Sequence, residues 1–68
     1  MINAEMIKNR MATEGLRQTD IAAALGLANP TVSQKINGVR PMNLDEARKI
    51  AELLHIDAGE FGAYFFAQ

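Results

Sequence analysis

One short segment constrains this chain more than any other part of it, and it reads QTDIAAALGLANPTVSQKIN over Gln18–Asn37. Apolar residues recur at helical spacing on both sides of Gly26, a pattern typical of two short helices joined by a tight turn. Ala22 offers the small side chain needed where two helices nearly touch, and Val32 and Ile36 give the second helix an inward face. The segment therefore predicts a close helix pair whose second helix has a polar outer face.

The length and composition suit one small globular domain. The 68 residues, 49% hydrophobic and 22% charged, allow a modest core near the size at which stability becomes marginal. The sequence has no cysteine, which excludes a disulfide framework and a thiolate metal site. The longest apolar run, around residues 21–27, is too short for a bilayer, and the sequence starts with no signal pattern. We expect residues 1–68 to form a single domain of a cytoplasmic protein.

Helical periodicity extends along the chain and predicts an all-α, compact five-helix bundle. The first helix is expected to run from a cap at Asn3 to about Glu14, with Gly15 as its stop. The second is expected to start poorly, because Arg17 stands where a serine or threonine cap is usual. Asp20 in its first turn still favours the helix dipole. The inward faces of these helices are predicted to be Ala4, Ile7 and Met11, and Ile21, Ala22 and Leu25.

The other three helices have clearer start signals. Asn29 is expected as the N-cap of the third helix, with Pro30 at its first helical position and Gly38 as its stop. A capping-box pattern opens the fourth helix at 43–46, and a second one opens the fifth at 57–60. The residues predicted to be buried by the fourth helix are Leu44, Ala47, Ile50, Ala51 and Leu54.

All four aromatic residues lie at the C-terminal end of the chain. The spacing of Phe61, Tyr64 and Phe65 favours a place in the core. Four rings on one short helix can exceed what so small a core buries, which leaves Tyr64 or Phe66 as a possible dimer contact.

A pattern of residue types at fixed intervals is present here without an insertion or deletion. Its members are Leu16, Gln18, Ile21, Ala22, Gly26, Val32, Ile36, Asn37 and Gly38. It resembles the lambda-repressor-like, or Cro/C1-type (XRE), helix-turn-helix domains of phage and bacterial regulators. The stretch RPMNLDEA over residues 40–47 is also similar to small phage repressors. The resemblance covers about residues 4–66 and rests on the combined spacing, since no single position is specific.

The resemblance implies DNA binding, with the first helix of the motif (about residues 18–37) braced against the backbone and the second in the major groove. It implies that Gln18 touches a phosphate and supports the first recognition residue. It implies contacts with base edges or the nearby DNA backbone by four residues, Asn29, Pro30, Ser33 and Gln34. It also implies that the DNA sugar-phosphate chain is held by Asn37, Arg40 and Asn43.

Two further residues, Thr31 and Lys35, flank this face and complete the expected DNA-binding set. Lys35 departs from the family, where the position is often apolar. Its stem is expected to lie on the core, with its ammonium in solvent or on a phosphate.

Side-chain chemistry agrees with these positions but leaves a plainer alternative. An amide such as that of Gln34 can pair bidentately with adenine, and the ring of Pro30 can contact a thymine methyl. The alternative is that these polar residues face outward only because that side of the helix is in contact with water. Asn29 could serve only as a cap, and Asn37 only as part of a helix stop.

Catalysis finds little support. His55, the single histidine, stands at a helix C-terminus where a structural role is expected. Capping explains the acidic pairs, Ser33 has no base at a plausible spacing, and there is no glycine-rich phosphate loop. We expect no enzyme, no metal and no cofactor.

The charge distribution bears on the partner. Residues 1–43 have five basic and three acidic side chains, a balance of +2, whereas residues 44–68 have two and five, a balance of −3. The net charge of −1 is low for a nucleic-acid-binding protein, so phosphate attraction should be weaker than usual.

The sequence thus predicts a sequence-specific transcriptional regulator, a phage or prophage Cro- or repressor-type protein that binds a palindromic operator in double-stranded DNA as a homodimer. Such a protein would act on the nucleoid. An antitoxin-like regulator and a protein-interaction bundle without a DNA role are the alternatives, and the acidic pI favours the second.

Overall fold

Five helices account for most of the part of the chain that the computed structural model describes, residues 1–67. They are α1 (Ala4–Glu14), α2 (Gln18–Leu25), α3 (Asn29–Ile36), α4 (Leu44–Leu53) and α5 (Ala58–Phe65). No strand occurs within residues 1–67. The predicted all-α bundle of five helices is confirmed.

Local capping sets both ends of α1 and the start of α4 where the sequence predicts them. Asn3 Oδ1 accepts the Met6 N–H at 3.0 Å, and α1 ends at Gly15 in the left-handed conformation, with φ 71°. At α4 both halves of the predicted box form, since Asn43 Oδ1 accepts the Glu46 N–H at 2.8 Å and Glu46 Oε1 accepts the Asn43 N–H at 3.0 Å. These bonds satisfy N–H groups that have no partner inside the helix.

The start of α5 forms only half of its predicted box. Asp57 Oδ1 accepts the Glu60 N–H at 2.9 Å. The return bond from the Asp57 N–H to the Glu60 carboxylate is not among the hydrogen bonds of residues 1–67.

Arg17 is the N-cap of α2 and makes no side-chain capping bond, as predicted, whereas the start of α3 differs from the prediction. At α2 the Arg17 N–H donates to Asp20 Oδ2 at 2.8 Å, so a carboxylate in the first turn supplies a capping bond that Arg17 itself cannot. At α3 the Ala28 carbonyl accepts the Val32 N–H at 3.1 Å, which makes Ala28 the N-cap. Asn29 is therefore already helical, and the prediction that it caps α3 with Pro30 at the first helical position is wrong by one residue.

The core lies where the five helices meet and is mostly aliphatic. Ile7, Ile21, Ile36, Ile50 and Leu54 are essentially inaccessible to solvent, as is Val32. Ala22 is buried in α2, the helix that packs against both α3 and α4. These residues confirm most of the predicted inward faces, although Ala4 and Leu25 are only partly buried.

Leu44 is an exception to the predicted core, because 48% of its surface remains exposed. It occupies the first position of α4. Helical side chains lean toward the N-terminus, so a residue at this position extends past the end of the packed region.

Helix α1 holds the C-terminal end of α4 through side-chain hydrogen bonds. The Arg10 guanidinium donates to the carbonyls of Leu54 at 2.9 Å and His55 at 2.6 Å, where α4 leaves carbonyls without helical partners. The His55 ring lies beside the Glu14 carboxylate, with Nδ1 and Oε1 2.5 Å apart. The single histidine thus has the structural place expected of it, in the turn after α4.

Candidate nucleic-acid interface

The turn at Gly26 fixes α3 across α2. Gly26 adopts φ 68° and ends α2 with its N–H on the Ala23 carbonyl, while the Leu27 N–H donates to the Ala22 carbonyl at 3.0 Å. No atom lies within 4 Å of where a Cβ would be, so the backbone conformation and not space calls for glycine here. The turn, together with buried Ala22, brings the two helices into contact and leaves one face of α3 in solvent.

The outer face of α3 consists of polar side chains at helical spacing. Val32 and Ile36 point into the core, whereas the opposite side carries exposed Pro30, Gln34 and Asn37. The Gln34 side chain forms no hydrogen bond within residues 1–67, so its amide donor and acceptor are both open. The remaining residues predicted here are exposed Asn29 and partly buried Thr31 and Ser33.

Gln18 ties the starts of the two helices together. Its Nε2 donates to the backbone carbonyl of Asn29 at 3.0 Å. The support expected of Gln18 is therefore directed at the backbone of Asn29, the first residue of α3. Its Oε1 is left without a protein partner in the described part of the chain.

The far end of α3 is held by a chain of hydrogen bonds. Asn37 Nδ2 donates to the Ser33 carbonyl at 2.8 Å, and Asn37 Oδ1 accepts from Lys8 Nζ at 2.6 Å. Asn37 is thus more than a helix stop, because its side chain connects α3 to α1.

Lys35 turns away from the outer face of α3. Its ammonium lies 2.8 Å from Glu46 Oε1 and 3.1 Å from the Pro41 carbonyl, and the Lys35 and Glu46 side chains are only 15% and 16% exposed. The hydrogen bond from Lys35 lowers the pKa of Glu46, and the Asn43 N–H contributes in the same direction. The ammonium therefore lies on a carboxylate of α4 and not in solvent, whereas its expected contact with a phosphate stays a prediction.

The loop after α3 presents Arg40 beside the same face. The N–H groups of Val39 and Arg40 both donate to the Gln34 carbonyl, at 2.8 and 3.2 Å. The Arg40 side chain is exposed and forms no ion pair within residues 1–67. Asn43 lies further along, and its Oδ1 is committed to capping α4.

Sequence reasoning missed two residues that the structure brings to this surface, Lys8 and Val39. Val39 is 72% exposed in the loop, and its position directly after the predicted stop was a usable signal. Lys8 lies 29 residues before Asn37, and no local pattern links the two.

Within residues 1–67, no cluster of histidine or acidic side chains is arranged to hold a metal ion. Nor is any helix of this part of the chain long and apolar enough to cross a membrane.

The comparison with known families agrees with this geometry. A helix-turn-helix family model matches residues 7–61, a span from the middle of α1 into α5. No curated protein matches the chain closely enough to be counted as a relative. The match covers most of the chain and includes the whole α2–turn–α3 unit. The chain accordingly belongs to the Cro/C1-type helix-turn-helix family of DNA-binding regulators and has its lambda-repressor-like all-α fold.

Proposed function

We propose that this chain is a Cro- or repressor-type transcriptional regulator of phage or prophage origin, which reads a palindromic operator as a homodimer and blocks transcription. In this proposal residues 1–68 act as one DNA-binding domain, on nucleoid DNA in the cytoplasm. The observation that carries it is the open amide of Gln34, exposed near the C-terminal end of α3, a helix whose two ends are fixed by side-chain hydrogen bonds.

The arrangement suits reading of bases because it separates two tasks. Gln34 supplies a donor and an acceptor from one planar group, which is what bidentate recognition of adenine needs. Gln18, Asn37 and Arg40 lie around it and would set the register of α3 on the sugar-phosphate chain. Pro30 would supply apolar contact with a thymine methyl, and the polar atoms of Asn29, Ser33 and Thr31 further contacts along the groove.

Dimerisation is supported by an exposed apolar surface that the start of α4 and the end of α5 form together. Phe66 is 59% exposed and Leu44 is 48% exposed. Phe61 connects them, since its ring centroid is 5.8 Å from that of Phe66 and it lines a groove of about 320 Å³ together with Leu44. Tyr64 is only 8% exposed and belongs to the core, so the expected contact narrows to Phe66.

The test is selection of bound sequences from a random double-stranded DNA pool at about 50 mM salt, where phosphate contacts are strong. We expect an enriched site with two-fold symmetry and half-sites about 34 Å apart, one turn of DNA. A plot of the logarithm of the binding constant for that site against the logarithm of the salt concentration should have a shallow slope, because few cations face the DNA. The expected slope is about −0.9 per neutralised phosphate. Failure to bind any DNA at this salt would refute the function, and an enriched site without symmetry would refute the dimeric operator alone.

A further inference from the structure

The cations around α3 divide into two kinds that the sequence does not distinguish. Lys35 is paired with Glu46, so a carboxylate compensates its charge. Lys8 is exposed, and its ammonium contacts the neutral amide oxygen of Asn37. The ion pairs within residues 1–67 join Arg10 to Glu14, Lys35 to Glu46 and His55 to Glu14, and none involves Lys8.

The position of Lys8 is fixed by its contact with α3. The 2.6 Å hydrogen bond to Asn37 Oδ1 places the ammonium at the C-terminal end of the recognition helix. Asn37 is itself oriented by its bond to the Ser33 carbonyl, so the amide oxygen has a defined direction. A lysine ammonium has three donors, and this contact uses one of them.

The residues just before α1 also approach the loop after α3. A Cβ at Gly38 would lie 3.7 Å from Ile2 Cγ2. Ile2 therefore lies against Gly38, the residue that follows Asn37. The surface at this end of α3 is therefore built jointly by the loop and by the segment that includes α1.

We propose that Lys8 is a DNA-backbone contact that α1 contributes to the interface, binding a phosphate next to Asn37 with the donors that Asn37 leaves free. The inference rests on the proposed DNA-binding function and adds to it a positioning residue from outside the helix-turn-helix unit. A contact here would fix the C-terminal end of α3, as the Gln18 contact fixes its N-terminal end.

The experiment measures affinity for a random-sequence duplex of about 20 base pairs between about 50 and 200 mM salt, since phosphate contacts need no operator. Lys8→Gln should weaken binding several-fold at the lowest salt and make the slope shallower by about 0.9, the loss of one phosphate contact. Lys49→Gln removes the same charge from α4, in a cleft lined by Ala24, Leu53 and His55, and should retain the parental slope.

Lys8→Arg separates charge from structure and should restore the parental slope, with thermal unfolding recorded for every variant. If the parent binds DNA but Lys8→Gln keeps the slope of Lys49→Gln, the Lys8 contact is refuted and DNA binding stands. If Lys8→Arg loses the slope as fully as Lys8→Gln, the residue acts on packing and the proposal also fails. If the parent does not bind the duplex at about 50 mM salt, both the proposed function and this inference fall.

Discussion

At the scale of single residues, Gln34 and Arg40 are both exposed at the end of α3 but differ in what they can recognise. Gln34→Ala should cost about 1–3 kcal/mol of affinity for the selected operator and relax preference at one base position, because a bidentate amide contact is lost. Arg40→Ala should weaken operator and random DNA alike and flatten the salt dependence, because a guanidinium on a phosphate carries no sequence information. Competition binding on operator and single-base variants distinguishes the two effects.

Each of these substitutions is a control for the other, since both truncate an exposed side chain and neither removes a core contact. Altered sequence preference in Arg40→Ala, together with unchanged preference in Gln34→Ala, would reverse the assignment of reader and anchor.

At the scale of helices, the pair between Lys35 and Glu46 joins the recognition helix to α4 and should make stability depend on pH. The Lys35 hydrogen bond lowers the pKa of Glu46 below its unfolded value of 4.5. The contribution of the carboxylate is therefore present above that value and is lost as pH falls through the lower, folded value. We expect Glu46→Gln to cost about 1 kcal/mol at neutral pH and to lose stability less steeply than the parent below about pH 5.

Glu52→Gln is the matched control, because Glu52 is exposed on the same helix and has no ion pair within residues 1–67. It should follow the parent in urea unfolding recorded across the acid range. If the free energy of unfolding falls equally steeply with pH in Glu46→Gln and in the parent, the pair does not contribute to folding.

The helices also show what the sequence could and could not predict. Capping is local, so both ends of α1 followed from Asn3 and Gly15, and the start of α4 followed from Asn43. The start of α3 was misplaced because Ala28 has no side-chain oxygen and caps through its backbone alone. The partners of Lys35 and Lys8 lie 11 and 29 residues away, so only the packing of helices decides which lysine is free.

At the scale of the whole molecule, the recognition face and the exposed aromatic end suit different partners. The fold and most of the core followed from periodicity, whereas the division of the aromatic rings did not, since the spacing of Phe61, Tyr64 and Phe65 is equally satisfied with any of them buried. In the structure Tyr64 and Phe65 are core residues, and Phe61 stacks on Phe65 with ring centroids 4.8 Å apart. Phe66 is left as the large aromatic surface.

Phe66 should therefore hold two copies of the protein together. A single recognition helix reads only a few base pairs, so pairing is needed to give a site of useful length. We expect the parent to be a weak dimer in sedimentation, strengthened by the selected operator, and Phe66→Ser to weaken pairing about tenfold, equivalent to about 1.4 kcal/mol.

Val39→Ser removes an exposed apolar side chain from the loop after α3 and should sediment like the parent without DNA. Because Phe66 is 59% exposed, Phe66→Ser should remain folded. Unfolding of that variant as a monomer, with parental pairing mapped to another surface, would instead place Phe66 in the core and refute the interface.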